Sequence, residues 1–369
     1  LALLAPVGAA ADTAFSERER QAIMAHGPWP PPMRPDPSNK WSGSPAVVLF
    51  GETLFHDARL SGTGDVACAT CHDPARAFAD GRRIAMSAAG DGRKLFRNTQ
   101  SLWNVRFNRW FGWGGAVDTL WGASIRPILA SDEMSGDSGR TRRLLTADAR
   151  LGALYEAAFD RRPEMANEID LVVNVGKALA AYQETLVSPR SAFDRFRDAL
   201  ATGDAAGIEA YPAAAKRGLR MFVGRGRCNL CHVGALFTHG EFEDAGVPYF
   251  IGPGKVDPGR HAGLKAFAQS DFRGDGRYSD APDSPAARLA AAARMPHRDF
   301  GAFRVPSLRR VALTAPYMHD GSLATLEDVV RHYSELDEAR LHADGAAILR
   351  PLRLSDREAA DLAAFLRSL

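Results

Sequence analysis

Cys68-Ala69-Thr70-Cys71-His72 and Cys228-Asn229-Leu230-Cys231-His232 hold all four cysteines of the chain, and a histidine follows each pair. Two thiols at this spacing reach the two vinyl groups on one haem edge, and the adjacent imidazole turns to the iron; this is the attachment signature of a c-type haem. Disulfides would not call for a histidine after each pair. A thioredoxin-like site would sit at a strand-to-helix turn in a βαβ setting, which this sequence lacks. One zinc held by four thiolates would need two distant pairs to converge, and would leave the histidines unexplained. The expectation is two covalently bound haem c groups, with His72 and His232 as proximal ligands.

The 369 residues suffice for two domains of ordinary size. Hydrophobic residues make up 46% and charged residues 24%, a globular composition. A formal net charge of +2 gives no electrostatic case for a nucleic-acid partner. No apolar run is long enough to span a membrane. Residues 1–11 (LALLAPVGAAA) read as a residual signal peptide, with Ala9-Ala10-Ala11 as an A-x-A cleavage site. Haem c is assembled outside the bacterial cytoplasm, so both features point to the periplasm.

The elements that must position the two motifs follow from composition and periodicity. Residues 12–44 form an extended N-terminal arm, whose proline-rich stretch 27–38 is expected over the surface. Residues 80–93 read as a loop. Residues 103–121 hold Trp103, Trp110, Trp113 and Trp121, four of the six tryptophans. Residues 169–186 have helical apolar spacing, and Ser188-Pro189 stops them. The small, polar stretch 200–210 divides a first domain, 45–205, from a second, 206–369. A helix over 211–223 runs into the second motif, and 252–296 read as a long surface excursion. Thr325-Leu326-Glu327-Asp328 and Ser355-Asp356-Arg357-Glu358 are capping boxes for helices through Tyr333 and to Leu369. Strand signals are scarce. The fold class expected is mainly α, two cytochrome c-like domains with one covalent haem each.

From about residue 45 onward the chain resembles the bacterial dihaem peroxidase superfamily, which includes dihaem cytochrome c peroxidases and MauG. The resemblance rests on Leu54-Phe55-His56-Asp57 with Leu60-Ser61, on Arg97-Asn98-Thr99, and on Trp113-Gly114-Gly115 followed by Pro127 and Asp132-Glu133-Met134. It rests also on Phe303-Arg304-Val305-Pro306-Ser307-Leu308-Arg309 and on Thr314-Ala315-Pro316-Tyr317-Met318-His319-Asp320-Gly321. It implies a peroxide-reactive first haem, an electron-transfer second haem with two protein ligands, a tryptophan between them, and a calcium ion between the domains.

By that resemblance Trp113 is the inter-haem relay, Glu133 the distal carboxylate that moves the proton in O–O cleavage, and Pro127 a wall of the same pocket. Ala123 stands where relatives carry a distal glutamine. Trp110 and Trp121 read as packing or as surface exits for an oxidising hole. Many cytochrome c peroxidases block the first haem with a loop histidine, but no histidine lies between His72 and His232. The first haem is therefore expected to be open to peroxide, with Met86 as a rival ligand. Alignment on His319-Asp320-Gly321 places Tyr333 at the second haem's distal position, where MauG has a tyrosine; Met318 and Met295 are rivals. A phenolate stabilises oxidised iron, whereas a thioether favours the reduced state. Asn98, Thr314 and Pro316 match the calcium positions, all hard oxygen donors. The resemblance thus implies a MauG-like enzyme that uses H2O2 to reach a bis-Fe(IV) state and oxidises an aromatic residue of a periplasmic partner protein. Relatives encoded with methanobactin genes (MbnH) are similar too. The alternatives are a dihaem cytochrome c peroxidase drawing electrons from a small cytochrome or cupredoxin, and a plain electron-transfer cytochrome.

Overall fold

The computed structural model describes residues 15–87, 95–294, 296–341 and 348–369. The expected signal segment and Met295 lie outside these residues. The helices are α1 (Glu17–Met24), α2 (Pro45–Phe55), α3 (Cys68–Cys71), α4 (Leu120–Leu129), α5 (Ser138–Ala147), α6 (Ala149–Phe159) and α7 (Glu168–Gln183). Then come α8 (Ala192–Thr202), α9 (Ala205–Ala210), α10 (Ala213–Val223), α11 (Arg260–Ala268), α12 (Pro285–Ala291), α13 (Leu326–Ser334) and α14 (Asp356–Leu366). Two short antiparallel pairs join β1 (Phe242–Glu243) to β4 (Phe303–Arg304) and β2 (Phe250–Gly252) to β3 (Lys255–Val256). The molecule is mainly α, as expected.

Each haem motif follows a helix that crosses the closing helix of its half. In the first half α2 packs on α7, which Asn167 caps by accepting from the Asp170 amide, and which is buried on nearly every side from Leu171 to Gln183. In the second half α10 packs on α14. Both crossings occur at glycine. A Cβ on Gly51 would stand 1.9 Å from the Ala178 carbonyl oxygen, and one on Gly218 would stand 2.0 Å from that of Asp361. Only hydrogen fits there.

Two cores result. Phe50, Leu54, Tyr155, Leu171 and Leu179 belong to the first. Phe193, Phe196, Leu219, Phe222, Phe237 and Phe365 belong to the second, together with Ile23 of α1. Packing changes hands before α8, ahead of the 200–210 stretch, whose helix α9 contributes no fully buried residue.

Residues 252–296 are not a surface excursion. Leu264, Phe267 and Ala290 close a small core with Trp110. Asp118 accepts from the Gly274 amide at 3.0 Å, and the Lys177 ammonium meets Asp280 at 2.6 Å. Glycine and proline mark local turns, but they say nothing about what a segment packs on. Nor is the arm merely laid on the surface: Trp29 is buried and donates to the Ser188 carbonyl, and Asn39 is buried and donates to that of Lys177.

The halves repeat each other well beyond the haem motifs. Ser101-Leu102-Trp103-Asn104-Val105 corresponds to Ser307-Leu308-Arg309-Arg310-Val311. Asn104 and Arg310 both adopt left-handed backbone, at φ 65° and 60°, and each leads into a 3-10 turn. Six residues into each following loop the bridges Phe111–Val117 and Tyr317–Leu323 close it, and Thr119 and Thr325 cap α4 and α13. At this constant offset Trp113 corresponds to His319, Asn98 to Arg304, and Pro127 to Tyr333.

Candidate haem sites and the junction between them

Cys68 and Cys71 occupy one helical turn, and Cys228 opens another; none of the four cysteines is in a disulfide. Burial pushes the thiols of Cys68 and Cys228 up to about 12. Burial also pulls His232 down to about 4 and lowers His72, so both rings are neutral. The His72 Nδ1–H donates to the Phe78 carbonyl at 3.2 Å, and the His232 Nδ1–H to that of Phe237 at 3.0 Å. Each Nε2 lone pair is thereby left for a metal. Phe78 and Phe237 both sit at positive φ, 57° and 54°, which turns their carbonyls toward the rings. Ser101 and Ser307 pin the preceding carbonyls, Ala77 and Leu236, each at 2.6 Å.

Around the second motif lies a cavity of about 770 Å³, within the range that holds a cofactor. Cys228, Cys231, His232, Tyr333, Met318 and His319 line it, and so do Trp113, Asn98, Thr314 and Pro316. His319 is buried, stacks on Phe303 at 3.6 Å, and has no partner for its Nε2. An orphaned buried polar atom in a cavity of this size, beside two thiols and a neutral imidazole, fits a large group with polar edges such as haem. Tyr333 lies on α13 with Leu326, Val329 and Val330, all lining the same cavity. Burial, the Cys228 and Cys231 thiols and Asp244 all push its phenol upward. Among the described residues its hydroxyl has no hydrogen-bond partner.

Trp113 stands at the junction of the halves. Its Nε1–H donates to the Asn98 carbonyl at 2.8 Å, and the Asn98 amide donates to the His319 carbonyl at 2.7 Å. The Arg304 amide donates to the Trp113 carbonyl at 2.8 Å, the counterpart of the Asn98–His319 bond. One residue, Asn98, therefore links the indole to the backbone carbonyl of the histidine that occupies its equivalent place. The Asn98 side-chain amide donates to the Arg82 carbonyl at 2.7 Å, and Asn98 is among the residues that line the cavity.

Glu133 follows α4. The Met134 amide closes the turn onto the Pro127 carbonyl at 3.0 Å. The Glu133 carboxylate bears on the Cys71 thiol and pairs with Arg126 at 2.5 Å. It thus stands within electrostatic reach of the first motif, while Arg126 is a partner the sequence did not suggest. The Met86 backbone also reaches Cys71. Ala123 packs against the cluster of buried residues to which Trp121 and Ile125 belong. Trp110 and Trp121 are both buried and are packing residues, not surface exits. Arg260 lies over the Trp110 ring at 3.9 Å, and the Trp121 Nε1–H donates to Ser38. His239 and Glu243 gather with Cys231 within 4.8 Å, and Cys231 is one of the thiols the sequence expects to carry haem.

A model of the di-haem cytochrome c peroxidase family matches residues 45–202. The methylamine utilization protein MauG of Methylorubrum extorquens is 34% identical over 327 residues, 88% of this chain and 78% of that one. The chain belongs to the di-haem cytochrome c peroxidase family. Within it, the cytochrome-c peroxidase IdrP2 of Denitromonas iodatirespirans is 33% identical, over 89% of this chain and 82% of its own. The crystal structure of a MauG-like protein associated with microbial copper homeostasis superposes with a TM-score of 0.66 at 28% identity, covering 93% of this chain and 95% of that one. A member of this family is a haem-dependent oxidoreductase acting on H2O2, and its cofactors are two haems. Among the described residues no helix is long and apolar enough to cross a membrane.

The duplicated positions were the signal that sequence reading passed over. Ser-Leu-x-x-Val occurs after both haem motifs and would have paired Pro127 with Tyr333 before any coordinates.

Proposed function

We propose that this member of the family is a MauG-like protein oxidase of the periplasm. It reduces H2O2 to two waters with two protons and two electrons, and takes the electrons from an aromatic side chain of a partner protein. The two haems, when bound, supply the redox chemistry and hold two oxidising equivalents between them. Glu133 takes the first proton of the peroxide and returns it to the departing oxygen. Trp113, linked through the backbone of Asn98 to the His319 carbonyl, is the relay across the junction. Asn98 through its side-chain oxygen, and Thr314 and Pro316 through carbonyls, offer the hard donors for calcium.

The observation that carries this reading is Tyr333 in the second cavity beside Cys228, Cys231 and His232, its hydroxyl without a hydrogen-bond partner among the described residues. A phenolate there makes oxidised iron easier to reach. The second reading, a cytochrome c peroxidase fed by a small electron donor, is favoured by Met318, a thioether that lines the same cavity.

The test is stoichiometric H2O2 added to the ferric protein without a donor. A new near-infrared charge-resonance band is expected, as two coupled oxidised haems produce, and it should vanish in Tyr333→Phe along with a changed second-haem spectrum. Peroxide consumed only after prior reduction, with Tyr333→Phe spectrally silent, would return the chain to the donor-fed peroxidases.

A further inference from the structure

The two proximal loops share a plan but not a support. In both, a histidine Nδ1–H reaches a phenylalanine carbonyl and a serine holds the carbonyl before it. The second loop has two further ties. The His26 Nδ1–H donates to the Gly234 carbonyl at 3.1 Å, and the Arg309 Nε–H to that of Ala235 at 2.5 Å. Four successive carbonyls, 234 to 237, thus accept from His26, Arg309, Ser307 and His232. In the first loop, among the described residues, no side chain is bonded to the corresponding carbonyls of Ala75 and Arg76.

His26 does more than supply one bond. Its ring lies flat on Phe237, with centroids 4.4 Å apart and planes within 9°. Phe237 is the residue whose carbonyl holds His232. The ring on Phe78 in the first loop is instead Trp103, edge-on at 88°. Arg309 is itself fixed by a two-pronged pair with Asp194, both bonds 2.9 Å, and lies over the Trp29 ring at 3.5 Å. His26 and Trp29 come from the segment ahead of residue 45, outside the stretch matched by the family model.

A partner that accepts from a ligating imidazole fixes the ring's orientation and raises its basicity. That donor strength stays constant only if the accepting carbonyl cannot move. We propose that His26 is a positioning residue for His232: the N-terminal segment locks the second haem's proximal bond, while the first haem's proximal loop is left free to adjust. This requires haem attachment at Cys228–His232. It does not depend on which substrate is oxidised.

The test uses the full chain with both haems and no peroxide, so that the first haem serves as an internal reference. His26→Phe keeps the flat stack and loses the donor, His26→Leu loses both, and His26→Asn puts an amide N–H near the place of Nδ1. Midpoint potentials come from spectroelectrochemistry, and the low-spin ferric signal from electron paramagnetic resonance. In His26→Phe the second haem's midpoint is expected to rise and its low-spin signal to broaden, with the first haem unchanged and with recovery in His26→Asn. Unchanged second-haem potential and signal in His26→Phe would overturn the proposal, even if the melting temperature fell. Equal shifts at both haems would also overturn it. Should His26→Leu fail to fold, the other two variants decide.

Discussion

Glu133 shows how much a single position can be asked to do. Its carboxylate is one-fifth exposed, lies within electrostatic reach of Cys71, and is held by an Arg126 guanidinium that is itself more than half exposed. An exposed pair of this kind adds at most about 1 kcal/mol to stability, so its value here is orientation. Glu133→Gln keeps the shape and removes the base. The expected result is a fall of about 10²-fold or more in the rate of the ferric protein's reaction with H2O2, the usual range for a lost proton-transfer group. Stopped-flow absorbance at the Soret band measures it, and the melting temperature should not move. An unchanged rate would remove Glu133 from the chemistry. The residues of both attachment motifs were legible because covalent chemistry fixes their spacing. Arg126 and His26 were not, since nothing in the sequence around an arginine or histidine names a partner that folding brings to it from elsewhere.

At the scale of elements, what is local was readable and what is tertiary was not. The capping boxes at Thr325 and Ser355 close on Asp328 and Glu358 as the sequence implied, because both partners lie within four residues. The role of 252–296 depends on Lys177 meeting Asp280 and Trp110 meeting Phe267, contacts across a hundred residues or more, and composition is blind to these. The helix crossings lie between the two cases. A glycine in the middle of a helix is visible in the sequence, but its reason appears only when α14 lies against α10. Gly218→Ala would put a methyl 2.0 Å from the Asp361 carbonyl oxygen, and the backbone on both sides cannot step aside cheaply. Helix propensity alone favours alanine by about 1 kcal/mol, whereas overpacking costs about 1–3 kcal/mol or more. Overpacking is expected to win, with the melting temperature of the second half lowered and the second haem's spectrum disturbed before the first. Thermal unfolding followed separately at the two haems would check this, and a raised melting temperature would mean the crossing opens freely.

For the whole molecule, the connections that wrap the first half are as informative as its core. The arm is tied at Glu184, a buried carboxylate on the closing turn of α7 that accepts from the Ser42 hydroxyl and keeps one oxygen unpaired. Burial, with Asp36 adding, pushes its carboxyl up to about 7, while the Ser42 bond and Arg106 pull the other way. The 270–280 segment is tied at Asp118, which burial raises to about 6 against the pull of the Gly274 amide. Both are acids whose native pKa lies above the unfolded value, so the native state binds the extra proton. Their stabilising contribution is complete below about pH 4, and it is lost as pH rises through about 6 for Asp118 and about 7 for Glu184. For Glu184 the span corresponds to about 3 kcal/mol at most, at 1.36 kcal/mol per unit. The part of stability that runs through Glu184, read as wild type minus Glu184→Gln because buried histidines such as His26 move the opposite way up to about pH 6.5, is therefore expected to decline between pH 5 and pH 8, and amides of residues 36–42 should exchange faster at the higher pH after correction for intrinsic rate. Glu184→Gln, neutral at every pH and still able to accept from Ser42, should flatten that decline and keep the arm protected. An identical pH slope in wild type and variant would show that the arm's hold on α7 does not run through this carboxyl.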